Sequence, residues 1–501
     1  MSGTKMVGFK IDGQTVQAPE GANVLKAAEL AGISIPHFCY HPAFEAEGNC
    51  RMCLVEVEGL PKLELACSTV VKEGMIVRTS TPRILQARKD VLEFLLAEHP
   101  LDCPICDKAG ECKLQEYYDR HGLFAGRFVE AKEKRDKKVA IGKGLILDRE
   151  RCILCTRCVR FLRKVTGTGE LGVFERGVRA EIGTYDGVPV DNNYSGNLVD
   201  ICPVGAITDA DFRFKTRAWF LKKGPTVCPR CGRGCAVVVE SVSGYPLEEK
   251  QKRVFRIRAG ENPAVNGWWI CDLGRAGRRD IDENRQVRIT RKSAPEEKVS
   301  REAAIEEIAG RILGIPQAQR GARIAVVLNS LLTCEELALA EKVFAKGLGL
   351  PGVYFADPMP GEADGFLLTG ERVPNARGVL EAGFSPRLPN LDALAASVEV
   401  LLVFGSYLLE HFSEEAISRA LAGIPSKFLF SACAGPLDRL ADFVFPVALP
   451  AEKSGTYINV DGLRQTFDRA VEPLPGVVSE REILGCLADG LGLNRGGPDA
   501  C

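Results

Sequence analysis

Fifteen of the 19 cysteines in this 501-residue chain lie between Cys39 and Cys271, and they fall into sets. Cys39, Cys50, Cys53 and Cys67 form the first, with ten, two and thirteen residues between successive thiols. His99, Cys103, Cys106 and Cys112 form the second, in HPLDCPICDKAGEC. Cys152, Cys155 and Cys158 of RCILCTRC are completed by Cys202 in NLVDICPVGAIT. Cys228, Cys231 and Cys235 of CPRCGRGC are completed by Cys271 in WWICDLGR, after 35 intervening residues. In a large chain with no export signal, clustered Cys-x-x-Cys spacing points to metal rather than to disulfides. Four such ligands suit either a structural zinc ion, which staples a fold, or an iron-sulfur cluster, which carries electrons.

The segments around each set bear on that choice. MVGFKIDGQTVQAPEG reads as a hairpin turning at Asp12-Gly13, and NVLKAAELAGI as a short helix stopped by Gly32. That order suits a small β-grasp ferredoxin domain and favours a [2Fe-2S] centre on Cys39, Cys50, Cys53 and Cys67. The plant-type motif has four residues between its first two cysteines, so the longer loop here resembles instead the ferredoxin domains fused into large dehydrogenases. The second set alone leaves two readings open, a zinc site of three cysteines and one histidine and a His-ligated [4Fe-4S] cluster. Placement of His99 just ahead of Cys-x-x-Cys, between two stronger motifs, favours ligation over a structural histidine.

The third set is the most specific. In two-cluster ferredoxins the fourth cysteine of each run serves the other cluster. Here Leu162 replaces that fourth cysteine, and Asn192, Ser195 and Leu198 replace the first three of a second run. One [4Fe-4S] cluster remains, on Cys152, Cys155, Cys158 and Cys202, and Pro203 prevents a helix from running through the last ligand. The fourth set resembles the [4Fe-4S] domain that opens molybdopterin oxidoreductases, with a zinc ribbon as the alternative. Gly232 and Gly234 let the backbone fold closely around a centre there.

The rest of the chain supplies the scaffold. Hydrophobic residues at 46%, charged residues at 26% and a net charge of -1 describe ordinary globular domains and give no general case for nucleic acid or an anionic membrane. The most apolar run, Val398 to Leu409, contains Glu399 and Gly405 and reads as a buried strand, so no membrane span is expected. The first residues lack both a secretory core and an organelle presequence, which predicts a bacterial-type cytoplasmic setting. EAKEKRDKK, from Glu130 to Lys138, reads as a solvated linker, with another near Arg291 to Ser300. Beyond it, RIAVVLNS, VEVLLVFGS, SKFLFSAC and ADFVFPVALP read as strands. TCEELALAEKVFAKG reads as a helix with a capping box at Thr333 and Glu336 and a stop at Gly347. An α/β doubly wound domain follows. Gly347, Gly349 and Gly352 fit the dinucleotide fingerprint by letter, but they follow a helix and enclose Pro351, so they form no nucleotide site. Cys334, Cys433, Cys486 and Cys501 have no neighbouring cysteine or histidine and read as small hydrophobes or surface thiols.

The order of the sets resembles the large iron-sulfur subunit of respiratory complex I, over about residues 1–290. The tail is similar, more weakly, to the molybdopterin-binding fold of formate dehydrogenases and nitrate reductases. In PGVYFADPMPG, where that family places Cys, Sec or Ser on molybdenum, none of these occurs. The resemblance implies a multidomain α+β chain. It comprises a β-grasp [2Fe-2S] domain over 1–82, a [4Fe-4S] domain with one histidine and three cysteine ligands over 83–122, and a ferredoxin-like [4Fe-4S] domain over 140–220. A molybdopterin-oxidoreductase-type [4Fe-4S] domain over 221–290 and a truncated α/β domain, molybdopterin-oxidoreductase-like, over 300–501 complete it. It implies one [2Fe-2S] and three [4Fe-4S] clusters and no molybdenum, no catalytic residue, and an electron-transfer role in a translocase that passes electrons from NADH toward quinone. The partners implied are a flavin subunit that binds NADH, a membrane-proximal ferredoxin-type subunit and other complex I subunits. The place implied is the cytoplasmic side of the inner membrane, held peripherally through the complex. The alternative is the electron-transfer subunit of an NAD-linked formate dehydrogenase or hydrogenase.

Overall fold

The computed structural model describes residues 5–122, 125–175, 177–242 and 252–493, and Cys501 lies outside them. The chain divides into two units, Met1–Phe220 and Leu221–Cys501.

In the first unit, β1 (Met6–Ile11) and β2 (Gln14–Pro19) form an antiparallel hairpin with Ile11 opposite Gln14. Asp12 and Gly13 both take positive φ, 49° and 86°, which gives the turn a twist matching that of the strands. Alternate residues Val7, Phe9 and Ile11 are buried. With β3 (Leu54–Val57), β4 (Glu64–Leu65) and β5 (Ile76–Arg78) they make a sheet of order β2-β1-β5-β3-β4. Helix α1 (Val24–Leu30) is capped by Asn23, whose side chain accepts from the Lys26 amide at 2.8 Å. It packs Val24, Leu25, Ala27 and Ala28 into the sheet's core, and Gly32 leaves the helix with φ of 73°. Two further helices follow, α2 (Pro82–Glu98) and α3 (Lys113–His121), packed on each other.

The remainder of this unit holds β6 (Val139–Gly142), β7 (Leu145–Leu147) and β10 (Ile207–Asp209) in the order β10-β7-β6. A two-stranded ribbon of β8 (Leu171–Phe174) and β9 (Glu181–Thr184) and helices α4 (Arg157–Lys164) and α5 (Asn197–Ile201) complete it. The charged run before β6, Glu130 to Lys138, is mostly exposed, as its composition suggests, but three of its side chains are half-buried in long-range contacts. Lys132 donates to the carbonyls of Leu96 and Ala97 at 2.6 and 2.7 Å. Lys137 reaches Asp102 at 2.7 Å and Glu150 at 2.6 Å, and Arg135 holds the Val178 and Ala180 carbonyls. Glu130, Glu133, Lys134, Asp136 and Lys138 remain exposed.

The second unit opens with an antiparallel sheet of β11 (Leu221–Val227), β12 (Ala236–Val242) and β13 (Val254–Ala259), then α6 (Asp272–Ala276) and α7 (Arg278–Asp282). Its larger sheet has the order β14-β19-β18-β17-β15-β16, from β14 (Thr290–Arg291), β15 (Ile324–Leu328), β16 (Val353–Phe355), β17 (Val400–Phe404), β18 (Ser426–Ser431) and β19 (Phe443–Pro446). β15 to β19 are parallel. Val326 and Leu328 face a core shared with α8 (Arg301–Leu313) and the helix Glu480–Gly490, whereas Ala325 and Val327 face one shared with the helix Glu414–Ala422. Burial on both faces is why these strands read as continuous apolar runs. Arg291, expected in a linker, is a strand residue paired opposite Phe443.

The capping box forms as expected, with the Glu336 amide donating to Thr333 Oγ1 at 3.2 Å and the Thr333 amide to Glu336 Oε2 at 2.8 Å. The stop falls where expected: after Cys334–Ala340 the helix widens into a π-turn over Glu341–Gly347 and ends there, although the left-handed residue is Gly349, with φ of 66°. A buried ion network ties the two halves of this unit together: Glu452 accepts from Arg253 at 2.9 Å and from Arg285 at 2.7 and 2.6 Å.

Candidate metal centres

The first set closes as two thiol pairs. Cys39 and Cys50 hydrogen-bond to each other, as do Cys53 and Cys67, and the two pairs interact electrostatically. Amides reach the sulfurs: those of Phe38 and Cys39 donate to Cys50 Sγ at 3.4 and 3.5 Å, and that of Cys50 to Cys39 Sγ at 3.5 Å. Three of these four cysteines are fully buried. Two pairs within electrostatic reach of each other match the ligand demand of a two-iron centre.

In the second set, Cys106 lies within electrostatic reach of both Cys103 and Cys112. His99 ends α2, and its Nδ1 is buried without a hydrogen-bond partner. Burial, reinforced by the charge of Arg151, lowers its pKa to about 4, so the imidazole is neutral at physiological pH, the state in which it ligates metal. Cys103 is exposed, the only thiol of the four sets so placed among the described residues.

The third set lines one small apolar cavity, with Cys152, Cys155, Cys158 and Cys202 in its wall beside Leu147 and Ile182. Leu154 and Thr156 carry the chain between ligands in left-handed conformation, φ 50° and 59°. Non-glycine residues adopt this at a cost of about 1 kcal/mol or more, and such strain concentrates at functional loops. The turn brings the Leu154 amide to 3.4 Å from Cys152 Sγ. Cys202 follows α5 in extended conformation, ahead of Pro203.

The fourth set combines the turn after β11 with the start of α6. The Cys228 amide donates to the Cys235 carbonyl at 2.8 Å, and Cys271 caps α6 by accepting from the Gly274 amide at 3.4 Å. A Cβ on Gly274 would stand 3.2 Å from Cys228 Sγ and 3.8 Å from Cys271 Sγ, so the helix backbone sits directly against two sulfurs.

Burial pushes the Cys152 and Cys228 thiols up to about 12, with neighbouring cysteines adding to the rise. Cys50 moves the other way, lowered to about 6 by hydrogen bonds from Cys39 and from backbone amides. A cationic metal centre held among the raised thiols would supply the charge that keeps them as thiolates, which is how ligand sets couple folding to metal. Pairing, burial and amide donors to sulfur are the features that fit a cluster.

Sequence spacing did not reveal what joins the sets. Arg160 donates to the carbonyls of Cys39 and Glu45, and Arg157 to those of Tyr40 and Ile201. Asn49 Nδ2 donates to the Leu154 carbonyl at 2.7 Å. These bonds lock the loop of the first set onto that of the third. The second set meets the third at Gly205, where an added Cβ would collide with Cys106 Sγ, and the Lys113 amide donates to the Pro203 carbonyl at 3.0 Å. The two arginines sit inside RCILCTRCVRF, so their proximity to thiols was visible in sequence although their partners were not. Cys486 is buried in the core of the α/β domain, and Cys334 and Cys433 are half-buried.

Three segments of the first unit match models of iron-sulfur domains. Residues 4–82 match the 2Fe-2S iron-sulfur cluster binding domain, 88–127 the NADH-ubiquinone oxidoreductase-G iron-sulfur binding region, and 142–208 the ferredoxin-like domain of NADH-quinone oxidoreductase subunit 3. The NADH-quinone oxidoreductase G subunit of Streptomyces coelicolor is 34% identical over 99% of this chain and 55% of its own length. That of Mycobacterium tuberculosis is 45% identical over 54% of this chain and 33% of its own. The 78 kDa subunit of NADH-ubiquinone oxidoreductase from Neurospora crassa mitochondria is 36% identical over 85% of this chain and 59% of its own. The chain thus spans between about a third and about three fifths of these relatives. An NAD+-reducing [NiFe]-hydrogenase in the H2-reduced state is 32% identical over 42% of this chain and 90% of that one, with a TM-score of 0.39. With 2Fe-2S and 4Fe-4S binding domains and 34% identity to the Streptomyces protein along 99% of this chain, the chain belongs to the family of large iron-sulfur G subunits of NADH-quinone oxidoreductase.

Proposed function

We propose that this chain relays electrons within an NADH-quinone oxidoreductase, from a flavin subunit that binds NADH toward quinone, through four iron-sulfur clusters. The observation that carries the reading is the contiguity of three ligand sets in the first unit, joined by Arg157, Arg160 and Gly205. Clusters held there supply one-electron carriers. Cys39, Cys50, Cys53 and Cys67 would hold a [2Fe-2S] centre. His99 with Cys103, Cys106 and Cys112, the Cys152, Cys155, Cys158 and Cys202 set, and the Cys228, Cys231, Cys235 and Cys271 set would each hold a [4Fe-4S] centre. Isolated staples need no such contiguity, whereas electron transfer between centres does.

The protein's own contribution is positional. Buried arginines fix one ligand loop against the next, and amide donors to sulfur tune each centre. The path enters at the Cys39 set, crosses to the Cys152 set and leaves through the His99 set, whose Cys103 is exposed, toward a membrane-proximal ferredoxin-type subunit. The Cys228 set belongs to the second unit and serves stability. Domains at 1–82, 83–122, 140–220, 221–290 and 300–501 fit these roles, the last without molybdenum. No helix among the described residues is long and apolar enough to cross a membrane. In this reading other subunits of the complex hold the chain peripherally, on the cytoplasmic face.

Substitution in the assembled complex tests the route. Cys155→Ala should abolish NADH-to-quinone transfer, whereas Cys231→Ala should lower the yield of complex and leave transfer per complex intact. Full transfer in an assembled Cys155→Ala complex would refute the path. Complete loss in an assembled Cys231→Ala complex would refute the off-path role.

A further inference from the structure

The relay makes no use of a cavity of about 510 Å³ in the second unit. Its position follows from the topology. Numbered along the chain, the parallel strands β15 to β19 are arranged 2-1-3-4-5, so successive connections leave β15 in opposite directions. Open α/β sheets bind ligands at such a switch point, outside the carboxyl ends of the strands. The cavity lies there: Leu331 follows β15, Pro358 and Met359 follow β16, and Tyr407 follows β17. Its opposite wall is the β11–β13 sheet, through Val237, Val239 and Ile257, with Cys228 and Gly274.

The volume falls in the range of small-molecule sites, about 300 to 1,000 Å³, and the lining is largely apolar with a few polar groups, as in such sites. Three of those groups are short of partners. Thr226 is only 8% exposed, yet its Oγ1 makes no hydrogen bond. The Tyr407 hydroxyl has no partner among the described residues, and burial pushes it up to about 12, so it remains a donor at neutral pH. Arg372 is held only by the carbonyls of Thr369 at 3.2 Å and Glu362 at 3.1 Å, with no carboxylate on its guanidinium among the described residues. The other cation in the wall, Arg230, is paired with Asp280, and Glu410 accepts from the Met359 amide at 2.7 Å.

We infer that this crevice is a binding site for a small ring-bearing organic anion, a carboxylate or sulfonate. The ring lies against the valines and Ile257, and the anion accepts from Arg372 with Tyr407 as a further donor. Unmet donors in a mostly apolar wall favour this class over a neutral hydrocarbon, which would leave them buried and unpaired. The inference does not depend on the electron route.

The test is isothermal titration calorimetry of the intact, cluster-loaded chain with 8-anilinonaphthalene-1-sulfonate, an aromatic sulfonate. One saturable site is expected, weakened about tenfold by Arg372→Gln, as for loss of a charge-assisted hydrogen bond. Arg372→Lys should restore most of the affinity. Tyr407→Phe removes an atom with no partner, so the fold should survive while affinity falls severalfold. Absence of saturable binding, or equal affinity in wild type, Arg372→Gln and Tyr407→Phe, would overturn the assignment.

Discussion

The guanidinium of Arg160 donates to the carbonyl oxygen of Cys39, 121 residues away in sequence. The same side chain stands 5.2 Å over the Phe44 ring and 3.4 Å from Glu47, and it is buried. One residue of α4 therefore fixes the loop that presents the first ligand set to the third. An arginine does this where a lysine would not, because its planar fork serves several acceptors at once while stacking on a ring.

Arg160→Met should leave both loops folded but unjoined, with buried carbonyls unsatisfied. A loss of about 2 kcal/mol is expected. It should be read as a lower urea midpoint for loss of cluster absorbance, with slower NADH-to-quinone transfer in the assembled complex. An unchanged midpoint and rate would show that the joint is dispensable.

Gly205 tests the second joint. Any Cβ there meets Cys106 Sγ, with Lys108 Cβ at 3.3 Å and no flexible group to yield. Gly205→Ala should cost the His99 set its centre, seen as roughly four fewer iron atoms per chain and the disappearance of one [4Fe-4S] EPR signal. Retention of the wild-type iron content would contradict the proposed neighbourhood.

The pH response of the second unit follows from a buried triad. Lys453 donates to Glu336 at 2.7 Å and to Glu480 at 3.0 Å. Burial raises Glu480 above the usual carboxyl range despite Lys453. A raised carboxyl keeps its proton in the folded chain after the unfolded chain has lost its own, so its contribution is full below the unfolded value of about 4.5 and fades as pH rises through the folded value. Lys453 is raised as well, and its contribution holds throughout that window. Glu480→Gln, a fixed stand-in for the protonated acid, should therefore gain on wild type between about pH 5 and pH 8. Melting temperatures that differ by the same amount at both pH values would exclude this coupling.

Much of the scaffold was legible because local signals and the fold agree. Asp12-Gly13 makes the hairpin, Gly32 ends α1, the Thr333 and Glu336 capping box forms, and four apolar runs become β15, β17, β18 and β19. Long-range polar pairs were not legible. Glu130 to Lys138 reads as a solvated run and is mostly exposed, but nothing local records that Asp102 and Glu150 wait for Lys137. Gly347 does end the helix, but propensity cannot foresee the π-turn that leads to it or the left-handed residue two positions on at Gly349. The links between ligand sets were likewise hidden, because Arg157, Arg160 and Gly205 act on partners chosen by tertiary packing.

Iron content and EPR test the central claim most directly. The chain should be purified intact and anaerobically, assayed for iron, zinc and molybdenum, and reduced with dithionite. About 14 iron atoms per chain, with one [2Fe-2S] and three [4Fe-4S] signals, is the result expected of the relay. Zinc in place of iron would make the chain a stapled scaffold, and stoichiometric molybdenum would make it a catalytic dehydrogenase subunit; either would contradict the account.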